Sequence, residues 1–163
     1  TSVSHIWAQT VVVETAEPII TPTYWLNIND RSFPFLALVS HTSMISPRHY
    51  GNRHITYLGN YLPAGHRFLS LSAKQLTLEF LPFIQKINPS VKASSILSSR
   101  VWTVPNAQPL HTPGYPNCIA PLASPINGLF VANMDSIFPW DRGTNYAVDL
   151  GNTVAALLDE SGK

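Results

Sequence analysis

The chain has 163 residues, 45% hydrophobic and 12% charged, with a formal net charge of +1. That balance excludes a disordered or highly charged tail and suits one folded domain with a sizeable core. Lysine and arginine are scattered, leaving no electrostatic footprint for nucleic acid or an anionic membrane, and no apolar run nears the ~20 residues of a membrane-crossing helix.

Along the chain, His5 to Glu14 is rich in Ile, Trp, Thr and Val and predicts a first strand, broken by Glu17-Pro18 and Thr21-Pro22. Tyr24 to Asn29 alternates and predicts a second, turning at Asn29-Asp30. Phe35 to His41 is apolar enough to be central. After a loop through Tyr50-Gly51-Asn52, His54 to Tyr61 alternates again and stops at Pro63. These short breaks predict an antiparallel meander. Ser72 to about Ile87 predicts a helix. Ser72 with Gln75 forms a capping box, Leu76, Phe80, Phe83, Ile84 and Ile87 share a face, and Asn88-Pro89 ends it. Pro82 should bend it. Ile96 to Val104 predicts a fifth strand, with Arg100 and Trp102 on one side by period-two alternation.

There are 14 prolines, against an average usage of about 5%, and they cluster from Pro105 to Pro125. The stretch 105–116 is therefore expected to run along a surface or pocket wall rather than pair fully in a sheet. Cys118 is the only cysteine, which excludes an internal disulfide and a multi-cysteine metal site. A reducing, cytoplasmic setting is the expectation. Its neighbours Pro116-Asn117 offer no base, so it is read as a bystander thiol. The last stretch, Gly128 to Leu150, reads as a short strand over Leu129–Ala132, an aromatic turn, and a helix start after Gly143. Apolar residues at Ala147, Leu150, Val154, Leu157 and Leu158 carry that helix to about Asp159. The first amides of such a helix lack partners and favour an anion or electron-rich carbonyl.

Gly-Leu-Phe-Val-Ala-Asn-Met at 128–134, followed by Pro-Trp-Asp-Arg-Gly-Thr-Asn-Tyr-Ala-Val at 139–148, resembles the C-terminal flavin-contacting segment of the FAD-dependent amine-oxidase and protoporphyrinogen-oxidase-like superfamily. Ala107-Gln108-Pro109 with Pro113-Gly114-Tyr115, and Tyr24 to Asp30, resemble other parts of that family. The resemblance implies a substrate-domain-like portion over 1–124 and, over 125–163, a strand–helix unit that completes an FAD-binding domain. It implies FAD contacts from Asn133, Gly143 and the backbone amides of Thr144, Asn145 and Tyr146. The family often has Gly-Asp or Gly-Glu where this chain has Asn133-Met134; Asn can still hydrogen-bond a ribityl hydroxyl.

The fold expected is therefore α+β: an antiparallel-leaning mixed sheet of about five strands, one packing helix, and a C-terminal strand–helix unit. No Gly-x-Gly-x-x-Gly occurs, so the pyrophosphate and adenine of FAD would need an N-terminal FAD-binding part or chain. The expectation is the C-terminal part of a longer flavoenzyme, inactive alone, that takes a small-molecule substrate. Arg100, Trp102 and Tyr115 are the candidate substrate contacts. Phe138 and Trp140 either wall a cavity or pack in a core, and Asp141-Arg142 forms either a local ion pair or a ligand contact. No lysine is placed like the one some flavin amine oxidases hold near the reactive flavin nitrogen, which tilts the reading toward the protoporphyrinogen-oxidase or desaturase-like side. His41, His49 and His54 lack metal-ligand spacing, and no Gly-x-Ser-x-Gly elbow exists. The alternative reading is a non-catalytic ligand-binding or protein-interaction domain using the proline and aromatic loop 105–116.

Overall fold

A computed structural model describes residues 3–141 and 143–161. Among them are two long helices and one five-stranded antiparallel sheet, an α+β fold. The strands are β1 (His5–Thr15), β2 (Trp25–Asn27), β3 (Ala37–Ser40), β4 (His54–Leu62) and β5 (Ile96–Pro109). The helices are α1 (Ala73–Ile87) and α2 (Thr144–Ser161). All five sequence-derived strands before the proline-rich stretch are present. Their order is β2-β3-β4-β1-β5, so β1 lies between β4 and β5 and the meander is confined to β2-β3-β4. The register pairs Val11 with Leu58, Leu58 with Leu38, and Leu38 with Leu26.

The residues divide into two compact units, Ile6–Ala107 and the described residues up to His5 and from Gln108 onward. In the larger unit one sheet face carries Val11, Val13, Leu38, Leu58 and Leu62, packed with Leu76, Phe80 and Ile84 of α1. Those three helix residues recur every four positions, so all face the sheet. Each fully buried side chain of this size contributes about 1.5–3 kcal/mol. Phe80 meets the rings of Phe35 and Phe68 at 5.4 and 5.5 Å. Both halves of the capping box between Ser72 and Gln75 are formed. Asn88 leaves the helix at φ −137° and ψ 99°, as a residue before proline must, and its Nδ2 donates to Ile19 O at 2.9 Å. Pro82 lies on the exposed side of α1, where a carbonyl deprived of its amide donor can take water.

The smaller unit is organised around Tyr115. Its ring is 2% exposed, stands 4.3 Å from His111 and 5.6 Å from Phe138, and its hydroxyl donates to the Asp135 carbonyl at 2.8 Å. His5 Nε2 lies 2.8 Å from Asp135 Oδ1. The strand expected over Leu129–Ala132 is instead one limb of a tight hairpin, with a single bridge between Ala123 and Phe130. Ser124 N donates to Leu129 O and Val131 N to Leu122 O, and Gly128, at φ +78°, closes the turn from Ile126 to Leu129. Two limbs this short have no further strand beside them among the described residues. Leu129 and Val131 are accordingly exposed, at 45% and 49%.

The two helices are of similar length and differ in cover. α1 buries four residues, whereas no described side chain of α2 is buried. Tyr146, Leu150, Val154 and Leu157 of α2 are half-covered, while Ala147, Val148, Gly151, Ala155 and Leu158 form an adjoining apolar strip open to solvent.

Candidate functional site

Each unit carries one candidate site. In the smaller unit, α2 begins at Thr144, the first residue after Gly143, and Ala147 N closes the first helical bond to Gly143 O at 3.0 Å. The amides of Thr144, Asn145 and Tyr146 precede that bond, so they have no acceptor within the helix, and the helix dipole makes this end attractive to negative charge. Thr144 and Asn145 are exposed. A Cβ at position 143 would stand 2.7 Å from Asn145 Oδ1, so glycine lets the Asn145 side chain fold back over the helix start. Tyr146 is held by parallel stacking with Trp140, ring centroids 5.9 Å apart at 5°.

Beside this helix start lies an open, mostly apolar cavity of about 300 Å³ lined by Asn133, Met134, Ile137, Ala147, Leu150 and Gly151. Asn133 caps a short turn at Met134–Ser136, its Oδ1 accepting from Asp135 N at 3.0 Å. That leaves its amide NH₂ as the group available to a ligand hydroxyl. Asn133, Gly143, Thr144, Asn145 and Tyr146 thus all fall in the smaller unit, three of them heading α2. The expected Asp141–Arg142 pair falls on Arg142, outside the described residues. Phe138 packs on His111 and Tyr115, and Trp140 packs on Tyr146.

In the larger unit the sheet face opposite the core is covered at Val39 and Ile55, which are buried, and exposed around Gly59. Thr10, Ala37, Gly59 and Ala8 form a floor of small residues across β3, β4 and β1, with Trp25 and Tyr61 beside it, around a trough of about 240 Å³. Trp25 is 54% exposed and oriented by a 2.8 Å bond from its Nε1 to Asn27 Oδ1. On the same sheet, Arg100 and Trp102 both face outward on β5, with Trp102 at 52% exposure. Glu14 takes a 2.7 Å bond from Arg53 Nη1. That bond lowers its pKa, Ser98 and the charges of Arg53 and Arg100 add to the effect, and desolvation opposes them.

Comparison with models of known protein families and with curated proteins returned no match.

Of the three sequence-derived substrate residues, Arg100 and Trp102 share an exposed face of the larger unit, and Tyr115 is buried within the smaller one. The Tyr115 ring and hydroxyl are both engaged inside its own unit, which raises its pKa above the ordinary 10.0, through desolvation first and the Asp135 and Cys118 charges second. The loop 105–116 is likewise used internally. Residues up to Pro109 belong to β5, Leu110 N donates to Ser4 O, and Tyr115 is buried. Sequence reasoning passed over Gly59 and Trp25. An isolated glycine inside the alternating run His54–Leu62 was the available signal, because such a residue marks a close approach to the strand.

Proposed function

We propose that this chain is the substrate-binding and flavin-completing part of an FAD-dependent oxidoreductase. The observation that carries the reading is α2 itself: Thr144 and Asn145 in its first turn and its apolar strip are exposed, and Ala147, Leu150 and Gly151 line the cavity with Asn133. Helices of this length draw most of their stability from packing, so an uncovered apolar strip calls for a covering body. The occupant that fits is a dinucleotide-binding part carrying FAD, which also supplies the pyrophosphate and adenine sites absent from this sequence.

The donor set suits the pyrimidine edge of the flavin. The amides of Thr144, Asn145 and Tyr146 would hold its carbonyl oxygens and offset negative charge there, and the Asn133 NH₂ would hold a ribityl hydroxyl. When bound, the flavin would accept hydride from a substrate carbon and pass electrons to oxygen or another acceptor. The chain's own contribution is orientation and electrostatics. Trp102 and Arg100 offer the substrate an aromatic surface and a cation on the exposed side of β5. The reading is tested by purifying the chain alone and the complete gene product. Visible flavin absorption in the second but not the first is the expected result. A complete product that is colourless and refuses added FAD overturns the reading.

A further inference from the structure

Gly59 is in the middle of β4, where glycine weakens a strand and needs a reason. Its backbone supplies none, since its φ lies outside the left-handed region that favours glycine. Crowding supplies none either, because a Cβ there would meet nothing within 4 Å. The space above it is the trough itself. On its row, Ala37 is the direct partner on β3 and Thr10 the direct partner on β1, with Ala8 paired to Tyr61 two residues along. Three strands about 4.8 Å apart give a flat floor roughly 10 Å across. Trp25, Tyr61 and Leu36 flank it with Asn60, whose amide donates to the Pro34 carbonyl, and none of the residues lining it is a carboxylate, lysine or arginine. The nearest carboxylate on this face of β1 is Glu14, already bonded to Arg53 at 2.7 Å.

We infer that this trough binds a flat, uncharged, apolar ring system, laid on Gly59 and edged by Trp25 and Tyr61. A floor of small residues at Gly59, Ala37 and Ala8 accepts a planar face, aromatic edges favour stacking or edge-on contact, and the absence of a counter-charge rejects a cationic amine. Calling this occupant the enzyme's substrate rests on the flavin reading above; its binding does not.

The probe is N-phenyl-1-naphthylamine, a neutral aromatic dye, titrated into the purified chain and followed by energy transfer from tryptophan, with n-octylammonium as competitor. Gly59→Val is the test variant, since a β-branched side chain suits a strand and has room above position 59. Val131→Ser serves as a control on the exposed hairpin of the other unit, and circular dichroism checks folding. The expected result is saturable transfer in the wild type and in Val131→Ser, its loss in folded Gly59→Val, and no displacement by n-octylammonium. A folded Gly59→Val that binds the dye as the wild type does overturns the proposal. So does loss of binding in Val131→Ser, or displacement by the alkylammonium. Should Gly59→Val fail to fold, Trp25→Ala at the trough edge replaces it, with binding read from the dye's own directly excited fluorescence and the same expected loss. Because no flavin is present, a chain that passes this test while its complete gene product refuses FAD would sink the flavin reading alone.

Discussion

Replacing Tyr115 by phenylalanine separates a structural anchor from a substrate contact. The ring stays between His111 and Phe138, so packing is kept. What goes is the 2.8 Å bond to the Asp135 carbonyl, inside a unit where the Tyr115 side chain is almost wholly covered. A neutral hydrogen bond contributes about 0.5–1.5 kcal/mol net, and a buried acceptor left unpaired adds to the loss, so about 1–2 kcal/mol is expected. Hydrogen exchange reads this directly at the Ser136 and Ile137 amides, which close the turn containing Asp135. Their exchange should quicken by roughly 5–30-fold. There is also a pH signature. The folded pKa of Tyr115 is raised, so its contribution is full below the unfolded value near 10.0 and is lost as pH rises through the folded one. Wild type should therefore lose stability on that alkaline limb by an increment that Tyr115→Phe lacks. Unchanged exchange at Ser136 and Ile137, coupled with lost ligand binding, would refute the anchor and restore Tyr115 as a substrate contact.

Other consequences follow from the same geometry. Ser72→Ala removes the hydroxyl half of the capping box and should lower the stability of the larger unit by about 1 kcal/mol in denaturant titration. Phe80→Ala, which opens a void between Phe35 and Phe68, should cost about 3–5 kcal/mol by the same assay. Glu14→Gln should flatten the acid limb of stability: the lowered folded pKa of Glu14 stabilises above its unfolded value near 4.5 and is lost as pH falls through the folded one. Gly151→Ala places a methyl where nothing stands within 4 Å and should stabilise α2 by about 0.5–1 kcal/mol, measured as slower amide exchange along the helix.

What the residues alone revealed was local. The alternation of β1 and β4 and the i, i+4 spacing of Leu76, Phe80 and Ile84 depend on which face a side chain meets, and that is written in the order of residue types. The end of α1 was legible because Asn88-Pro89 forbids its continuation. Strand neighbours were not legible: alternation says which residues face the core and nothing about which strand lies alongside, so the insertion of β1 between β4 and β5 came only with the fold. The run Leu129–Ala132 reads as a buried strand because composition cannot tell an apolar segment that is covered from one that is exposed. Gly59 was overlooked for a related reason. Phosphate-binding spacing is read along the chain, whereas the meaning of Gly59 lies in Ala37 and Thr10 on neighbouring strands.

The most direct trial of the flavin reading is the FAD dissociation constant of the complete gene product with Thr144→Pro. Proline fits the first position of a helix without breaking it, so this variant deletes one amide donor at the start of α2 and little else. If that amide holds the flavin, affinity should weaken about tenfold or more with the unfolding midpoint unchanged. A dissociation constant equal to that of the wild type would contradict the account.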